Sequence, residues 1–372
     1  MTENRHGGDI YAADLTAQPL DFSASINPLG MPESVRKAAQ AALSGCVYYP
    51  DPLCRKLRAA IAQRENVTED QVFCGNGAAD VLYRIMLACK PKKILLPAPT
   101  FGEYAQAAQL AGSEVVSFPL QEQNNFDLTE AFWDAVTPGI DAVILCNPNN
   151  PTGRMIPKWL VRKGMERCAE MGARLIIDTC FHDFSDKPEE IRLTDCMADN
   201  ANMILLRSFT KMYAIPGIRL GYCLSADTKL LESLYDMGAP WSVSVIAQAC
   251  GIAATQDMAL PAQTRNYIAA QRAYLQDGLR ELGFTVIPGQ ANYLLCKNEM
   301  IPDLVQKMRK RGILLRSCGN FTGLDERWFR VAVRTEAENF VLLHALRECR
   351  DDLIMECSDD SFVKGCNSYR KK

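Results

Sequence analysis

Lys211 is the side chain of this sequence with the greatest capacity for covalent chemistry. It follows the apolar run NMILL within the stretch RSFTKMYAIPGIRLGY, which places Ser208 before it and Arg219 after it. Burying an amine without a partner is costly, so the position is either a solvated strand end or a group kept for reaction. A lysine amine can condense with a carbonyl compound, and a hydroxyl and a guanidinium beside it can bind an anion.

Polar residues also follow three other apolar runs. Asn150 lies in NPNNPTG after the run DAVILC, and Asp178 follows ARLII. Gly77 and Ala78 lie in GNGAAD, between the run QVFC and a segment with helical spacing. Backbone N–H groups at the start of a helix attract anions, so this turn is a candidate phosphate site. In doubly wound sheets ligands bind beyond the carboxyl ends of the strands, where all these residues are expected.

Pyridoxal phosphate is the ligand whose parts match this set of side chains. Its aldehyde needs an amine, its pyridine nitrogen a carboxylate and its phenolic oxygen a donor, and Lys211, Asp178 and Asn150 can supply them. Phe101 of PAPTFGEY is the aromatic side chain expected on the ring face. Lys211 and Asp178 are the predicted catalytic residues. The expected phosphate ligands are Gly77, Ala78, Ser208 and Arg219.

Short apolar runs that alternate with helical segments must position these residues. The runs are QVFC, KKILLP, EVVSFPL, DAVILC, ARLIID, NMILLR and LGYCLS. Segments between them, such as AADVLYRIMLACK and PKWLVRKGMERCAEMG, carry apolar residues at helical spacing. The alternation predicts an α/β fold with a mostly parallel sheet covered by helices on both faces.

A change of pattern near residue 255 predicts a second, smaller α+β domain. The segment LPAQTRNYIAAQRAYLQDGLREL is typical of a long helix and MIPDLVQKMRKRG of a shorter one, whereas FTVIPGQANYLLCK, ILLRSC and WFRVAVR suggest strands. The expected parts are an N-terminal segment 1–44 packing with the small domain and active site, a large cofactor-binding domain 45–255, a small domain 256–350 and a cysteine-bearing tail 351–372.

Charge and composition argue against several classes of protein. The 372 residues include 41 Lys or Arg and 44 Asp or Glu, a net charge of -3, without the basic patch typical of nucleic-acid binding. No run approaches the ~20 apolar residues of a membrane span. The start of the sequence shows no signal-peptide pattern, so we expect a cytoplasmic protein with neither nucleic acid nor membrane as partner.

Cysteine and histidine usage predicts reduced thiols and no metal site. There are 15 cysteines but only three histidines, and no C-x-x-C occurs. Cys349, Cys357 and Cys366 near the C-terminus are spaced by eight and nine residues, which matches no zinc pattern. We expect the tail to be frayed or packed on the surface.

Two stretches resemble the diagnostic motifs of a known family, the fold-type I pyridoxal-phosphate enzymes of the histidinol-phosphate aminotransferase group. They are NPNNPTG and SFTKMYAIPGIRLGY, and the second, with Ser, Lys, Pro-Gly and Arg-Leu-Gly in register, is highly specific. The resemblance implies a large cofactor domain with a mixed, mostly parallel sheet, a smaller α+β domain, and pyridoxal phosphate bound through Lys211.

Within this group the sequence looks most like the threonine-phosphate decarboxylases of the cobalamin pathway. The similarity covers about residues 6–348, from HGGDI and LDFSASINPLGMP to ILLRSCGNFTGLD and FRVAVR. It implies that Tyr49 reaches the cofactor phosphate of a neighbouring subunit, and hence a homodimer with shared active sites. The substrate contacts that it implies are His6, Gly7, Asn150, Arg316 and Arg334.

Two positions depart from the family pattern. Ser25, in SASINP, stands where the family usually has asparagine, near the expected substrate. Asp178, Thr179 and Cys180 stand where the family usually reads Asp-Glu-Ala. The aspartate is kept, so its role should persist, whereas the shorter Ser25 side chain is expected to change what can be bound beside it.

The resemblance implies decarboxylation of O-phospho-L-threonine, or of O-phospho-L-serine, to an amino alcohol phosphate used in assembly of the cobamide nucleotide loop. Transamination of the histidinol-phosphate type uses the same catalytic residues and remains the alternative. Two other patterns are incomplete. The S-x-x-K motif from Ser208 to Lys211 lacks its S-D-N and K-T-G partners, and GNGAAD lacks the third glycine of a dinucleotide fingerprint.

Overall fold

The computed structural model describes residues 6–12, 18–198 and 200–368, with side chains as far as residue 353. The strands are β1 (Leu20–Asp21), β2 (Val72–Gly75), β3 (Lys93–Ala98), β4 (Glu114–Pro119), β5 (Ala142–Cys146), β6 (Arg174–Asp178), β7 (Met203–Ser208), β8 (Gly221–Ser225), β9 (Thr285–Ile287), β10 (Tyr293–Lys297), β11 (Ile313–Leu314), β12 (Arg316–Ser317) and β13 (Trp328–Ala332).

Helices connect most of these strands. The α-helices are α1 (Glu33–Ala42), α2 (Arg55–Glu65), α3 (Ala78–Cys89), α4 (Glu103–Leu110), α5 (Ala131–Asp134), α6 (Lys158–Met171), α7 (Thr194–Ala198), α8 (Thr228–Ser233), α9 (Val245–Gln256), α10 (Ala259–Glu281), α11 (Leu304–Lys310) and α12 (Glu336–Ser368). Short 3-10 helices span Leu43–Val47, Glu69–Gln71, Glu122–Asn124, His182–Phe184, Pro188–Ile191 and Pro216–Ile218.

A seven-stranded mixed sheet confirms the predicted fold class. Its order is β2-β8-β7-β6-β5-β3-β4, in which β8 is antiparallel to both neighbours and the other pairs are parallel. Each of the seven apolar runs forms one of these strands. Most of them are rich in Ile, Leu and Val, whose branched side chains suit a sheet buried on both faces.

Alternate residues of each central strand enter separate apolar cores, because helices cover both faces of the sheet. Along β5, Val143 and Leu145 belong to the larger core, whereas Ile144 and Cys146 belong to the other. All four side chains are at most 2% exposed. Burial on both faces explains why this strand is apolar throughout instead of alternating.

The remaining strands form two small sheets. One is antiparallel, with the order β12-β13-β10-β9, and the other pairs β1 with β11 in parallel. The prediction of ILLRSC as one strand is wrong, because Ile313–Leu314 joins β1 whereas Arg316–Ser317 joins β13. The predicted helix MIPDLVQKMRKRG begins only at Leu304, since Asp303 before it has a left-handed φ of 54°.

The two ends of the chain pack on different parts of the fold. Helix α1 packs on α9, and β1 pairs with β11. Helix α12 continues without a break through residue 350 as far as Ser368, so the backbone of the tail is helical over this range. Cys349 is 2% exposed with its Sγ 3.9 Å from Met308 Sδ, whereas the Cys357 and Cys366 side chains lie outside the described residues. The domain limits at 44, 255 and 350 remain predictions.

Candidate active site

A cavity of about 250 Å³ lies at the carboxyl ends of β5, β6 and β7. These ends lie side by side because β6 pairs in parallel with both β5 and β7. The cavity is closed by residues near the N-terminus and by side chains of β12 and β13. The residues proposed from the sequence that line it are His6, Gly7, Ser25, Ala78, Phe101, Asn150, Asp178, Ser208, Lys211, Arg219 and Arg316.

Lys211 follows β7 and lies in the wall of the cavity. The backbone around it is fixed by Asn27, whose N–H donates to the Lys211 carbonyl at 3.0 Å and whose Nδ2 donates to the Met212 carbonyl at 2.8 Å. Burial lowers the pKa of Lys211 to about 8, and the positive charge of Arg330 adds to this effect. A neutral amine is therefore accessible near physiological pH, as nucleophilic chemistry requires.

Asp178 is the last residue of β6, and both of its carboxylate oxygens accept hydrogen bonds. The Tyr104 hydroxyl donates to Oδ2 at 2.8 Å, and the Cys180 backbone N–H donates to Oδ1 at 2.9 Å. The carboxylate is 9% exposed and lines the cavity. It can therefore face a protonated ring nitrogen from a fixed position.

Asn150 is oriented by Arg330, which the sequence analysis did not assign to the site. Arg330 donates from Nη1 to Asn150 Oδ1 at 2.6 Å and from Nη2 to the Ser23 carbonyl at 3.0 Å. Its guanidinium also lies 4.8 Å from the centre of the Tyr293 ring. A guanidinium has only donors, so Asn150 must turn its oxygen towards Arg330, and its NH₂ group remains a donor for a phenolic oxygen.

An anion cradle lies at the start of α3. Gly77, with a φ of 93°, precedes the helix, and no side chain caps the helix N-terminus. A Cβ on Gly77 would lie 2.6 Å from Arg219 Nη2, so only glycine lets this guanidinium approach the helix start. Ser208 Oγ lies 2.7 Å from Thr210 Oγ1. Uncapped N–H groups, hydroxyls and a guanidinium form the donor set that a phosphate needs, so the site fits the phosphate of the cofactor.

The residues near the N-terminus close the cavity above Phe101. The Phe101 and His6 rings lie 5.9 Å apart, and His6 Nε2 lies 3.0 Å from Glu103 Oε1. Gly7 packs so tightly that a Cβ would lie 2.2 Å from the Ser23 carbonyl oxygen. The two residues therefore come to the cavity on a segment that leaves no room for a side chain at Gly7.

Ser25 and Arg316, the two further residues predicted to lie near the substrate, both line the cavity. Ser25 is 2% exposed, and its Oγ has no hydrogen-bond partner among the residues that the structure describes. Arg316 donates to the Ser317 carbonyl at 2.5 Å and to Asn320 Oδ1 at 3.0 Å, and it lies 5.2 Å from the centre of the Phe321 ring. Burial lowers the pKa of Arg316, and the nearby charge of Arg330 contributes.

Three of the residues proposed from the sequence are not among those that line this cavity, namely Gly77, which precedes α3 beside Arg219, and Tyr49 and Arg334. Tyr49 is 79% exposed and stacks on Trp241 with ring centres 4.6 Å apart. Arg334 lies beyond the end of β13 and donates from Nη2 to Glu338 Oε1 at 2.6 Å and from Nη1 to the Asp21 carbonyl at 3.0 Å. Arg330, which lies four residues earlier, is among the residues that line the cavity, and the substrate contact expected for Arg334 stays a prediction.

The sequence contained a signal for Arg330 that the motif analysis missed. It is the charged residue inside WFRVA, a strand that is otherwise apolar and buried throughout. A charge in the middle of such a strand needs partners, which marks it for a polar site. Tyr104 carried a weaker signal, since it follows Phe101 by three residues and so lies one helical turn away.

Several known proteins are similar to this chain over most of its length. The family model for aminotransferase class I and II matches residues 17–346. The threonine-phosphate decarboxylase of Salmonella typhimurium is 39% identical over 355 residues, which are 93% of this chain and 97% of that protein. A histidinol-phosphate aminotransferase of Symbiobacterium thermophilum is 32% identical over 86% of this chain and 88% of its own. The solved histidinol-phosphate aminotransferase of Clostridium acetobutylicum has a TM-score of 0.83 at 29% identity, covering 90% of this chain and 99% of that one.

The described part of the chain has neither a helix suited to span a membrane nor a cluster of side chains suited to hold a metal ion. None of the helices within residues 6–12, 18–198 and 200–368 combines the length and the apolar character needed to cross a membrane. In the same part of the chain, no three His, Cys, Asp or Glu side chains converge in a way that could hold a metal ion.

Proposed function

The chain belongs to the class I and II aminotransferase family, and on that premise we propose that it decarboxylates O-phospho-L-threonine or O-phospho-L-serine with pyridoxal phosphate as cofactor. The similar protein of Salmonella typhimurium is a threonine-phosphate decarboxylase, and it matches nearly the whole chain. The product would be the amino alcohol phosphate that the sequence resemblance implies for cobamide nucleotide-loop assembly.

The observation that carries this proposal is a pair of arginines on neighbouring strands. Arg316 of β12 and Arg330 of β13 are paired residues in an antiparallel ladder, and both line the cavity. Residues directly opposite each other in such a ladder project from the same face, and two like charges there repel. Two cations so placed, beyond the Arg219 cradle, suit a substrate with two anionic groups. A carboxylate and a phosphate on one small amino acid satisfy this requirement.

In the proposed reaction, Arg330 binds the substrate carboxylate and Lys211 donates a proton. When bound, pyridoxal phosphate draws electron density away from the α-carbon of an amino acid joined to it. Arg330, fixed by Asn150 and by the Ser23 carbonyl, binds and orients the carboxylate. The bond between Cα and the carboxylate carbon then breaks, and CO₂ leaves without the bonding electrons. A proton from the Lys211 ammonium group forms the new C–H bond at Cα.

The orientation in which the arginines hold the substrate determines whether the bond from Cα to the carboxylate or the bond from Cα to hydrogen breaks first. With the cofactor bound, an orientation that exposes the substrate carboxylate to reaction would favour loss of CO₂, whereas one that exposes the hydrogen on Cα would favour transamination. Arg330 and Arg316 are the groups that can fix this orientation. Transamination remains the second candidate, because histidinol-phosphate aminotransferases share about 30% identity with this chain.

A direct test measures cofactor binding and identifies the reaction products. The purified protein with pyridoxal phosphate should show a visible absorption band that Lys211→Ala removes together with turnover. O-phospho-L-threonine, O-phospho-L-serine and histidinol phosphate are then offered in parallel. Release of CO₂ without any keto acid supports the proposal, whereas amino transfer that depends strictly on 2-oxoglutarate contradicts it. A wild-type protein that gains no band with added cofactor contradicts the cofactor assignment itself.

Substrate choice is expected to depend on Ser25. Its buried Oγ has no partner among the described residues, so a polar substrate group can bind there. Replacing it by the family's usual asparagine fills this space and adds a donor. We predict that Ser25→Asn changes the ratio of kcat/KM for O-phosphothreonine over O-phosphoserine by about tenfold, which corresponds to one hydrogen bond. An unchanged ratio would show that Ser25 does not select the substrate.

We further propose that the protein forms a homodimer and that it is located in the cytoplasm. Exposed apolar side chains follow one another closely in sequence at Leu43, Val47, Tyr48 and Tyr49, and Tyr49 stacks on the exposed Trp241; we call these five residues the exposed apolar cluster around Tyr49. An exposed apolar cluster of this kind is typical of an interface between proteins. The resemblance implies that Tyr49 contacts the neighbouring subunit's cofactor phosphate, which agrees with its position outside the cavity of its own chain.

A further inference from the structure

Tyr104 is a buried side chain of the cavity wall that the proposed cofactor contacts do not include. It lies in α4, is 1% exposed, and donates from its hydroxyl to Asp178 Oδ2 at 2.8 Å. Its ring meets Phe101 edge-on, with centres 5.5 Å apart, and its N–H donates to the Phe101 carbonyl at 3.3 Å. Two residues that are three positions apart, Phe101 and Tyr104, therefore supply the aromatic side chain expected on the cofactor ring and a hydrogen-bond donor to Asp178.

The hydroxyl of Tyr104 is a donor over the whole working range of pH. Burial raises the pKa of Tyr104 well above its ordinary value, and the charge of Asp178 raises it further. The phenol has a single hydrogen, and the geometry directs it to Asp178. A hydrogen bond donated to a carboxylate favours the charged form of that carboxylate.

We propose that Tyr104 is a positioning residue that sets how strongly Asp178 favours the protonated pyridine nitrogen of the cofactor. This inference rests on the proposed function, because it needs a bound cofactor whose nitrogen faces Asp178. Without the Tyr104 hydroxyl, the proton shared between Asp178 and the nitrogen shifts towards the carboxylate. The ring then withdraws electrons less strongly, and the nitrogen that joins Lys211 to the cofactor holds its proton more tightly.

The test replaces the hydroxyl and follows the spectrum of the bound cofactor as well as turnover. In Tyr104→Phe the apparent pKa of the visible band should rise by roughly half a unit, since less positive charge lies on the ring. The kcat for decarboxylation should fall about tenfold, equivalent to ~1.4 kcal/mol, while KM changes less than about twofold. A spectral pKa and a kcat equal to those of the wild type would overturn the inference.

Tyr222→Phe is the matched control. Tyr222 is also buried, lies in β8 of the same sheet and donates to a carboxylate, Glu65 Oε1, at 2.6 Å, but it is not among the residues lining the cavity. It should lower stability like Tyr104→Phe and leave the spectral pKa unchanged. If both variants move the spectral pKa alike, the effect of Tyr104 is structural and the inference is wrong.

Measurements with a cofactor analogue distinguish an effect of Tyr104 on the pyridine nitrogen from an effect on the shape of the site. When carbon replaces the pyridine nitrogen, Asp178 has no nitrogen to protonate, so wild type and Tyr104→Phe should share one spectral pKa. A difference that persists with this analogue overturns the inference. If Tyr104→Phe does not fold, a fluorinated tyrosine at position 104 serves instead. It is a stronger donor of similar size, so the spectral pKa should fall below that of wild type, and a value that stays or rises overturns the inference.

The wild-type protein alone tests the proposed function, independently of the Tyr104 variants. A wild type without a cofactor band, or one that transaminates, contradicts the proposed function. A wild type that binds cofactor and releases CO₂ supports it, whatever Tyr104→Phe then shows. Failure of the inference about Tyr104 and failure of the proposed function are therefore distinguishable.

Discussion

Arg330 and Arg334 of the segment FRVAVR have different surroundings, and only Arg330 is among the residues that line the cavity. Arg330 lies in the cavity between Asn150 and the Ser23 carbonyl, whereas Arg334 is held by Glu338 and the Asp21 carbonyl. The two side chains are four residues apart, so a motif match alone cannot separate them.

We predict that Arg330→Gln lowers kcat/KM by roughly 30- to 1000-fold, because losing one partner of a buried charge contact costs about 2–4 kcal/mol. Arg334→Gln is the matched control and should leave kcat/KM within about threefold, since it breaks only a half-buried pair. Steady-state kinetics with CO₂ detection measure both. If Arg334→Gln lowered kcat/KM more than Arg330→Gln, Arg334 and not Arg330 would be the residue that binds the substrate.

Lys211 makes the stability of the cofactor-free protein depend on pH. Its pKa is lowered from 10.5 to about 8 in the folded chain, mainly by burial. Between these two pH values the unfolded chain binds more protons at this residue than the folded one. The contribution of Lys211 to the free energy of unfolding is therefore unfavourable below pH ~8 and is relieved as the pH rises towards ~10.5.

Lys211→Met should accordingly raise the free energy of unfolding of the cofactor-free protein at pH 7 by about 1–3 kcal/mol. This gain should shrink at pH 10, where the wild-type amine is largely neutral in the folded state. Urea unfolding at the two pH values measures it. Lys229→Met, at an exposed lysine of α8, is the control for the loss of a lysine outside the cavity. A gain that is equal at both pH values would contradict a lowered pKa.

At the scale of elements, the anion cradle depends on the contact between α3 and β8. A Cβ on Gly221 would lie 2.3 Å from the Ala78 backbone nitrogen, and one on Gly77 would lie 2.6 Å from Arg219 Nη2. Glycine at these two positions lets the helix start, the strand and the guanidinium come together. The sequence GNGAAD and the glycine of RLGY thus belong to one structural unit.

We predict that Gly77→Ala weakens pyridoxal phosphate binding at least about tenfold, because it displaces Arg219 from the cradle. Gly112→Ala is the matched control, with a similar φ of 86° against 93° for Gly77 but nothing within 4 Å of its Cβ. Both variants should lose about 1 kcal/mol of stability through backbone strain. Fluorescence titration with the cofactor measures the affinities, and equal affinities would exclude the close contact as their cause.

At the scale of the whole molecule, the exposed apolar cluster around Tyr49 is expected to lie between two subunits. We predict that the wild type sediments as a dimer and that Val47→Glu, at a side chain 77% exposed, gives inactive monomers. Phe340→Glu is the control, since Phe340 is 60% exposed on α12 and lies outside the cluster. It should leave both the dimer and the activity intact.

Shared active sites predict complementation between inactive variants. Mixing subunits of Lys211→Ala with subunits of Tyr49→Ala should restore turnover, because one site of each mixed dimer then has an intact Lys211 and the partner's intact Tyr49. Each variant alone should have little activity. No recovery after subunit exchange, with mixed dimers present, would show that Tyr49 does not act across the interface.

The sequence alone determined the central sheet and the cofactor side of the cavity. The seven apolar runs became seven strands. Asn150, Asp178, Ser208 and Lys211 line one cavity because they lie at or just after the ends of three adjacent parallel strands. Local patterns are sufficient here, since a run of apolar residues decides that a strand is buried, and the ends of parallel strands meet at one edge.

Only the tertiary structure decided the substrate side of the cavity. The contacts of Arg330 with Asn150 and the Ser23 carbonyl, its pairing with Arg316, and the bond from Tyr104 to Asp178 join parts of the chain that are 14 to 307 residues apart. ILLRSC was split between two sheets for the same reason, because its partners β1 and β13 lie far away in sequence. Strand register fixes which side chains share a face, and register is set by long-range pairing that no local pattern records.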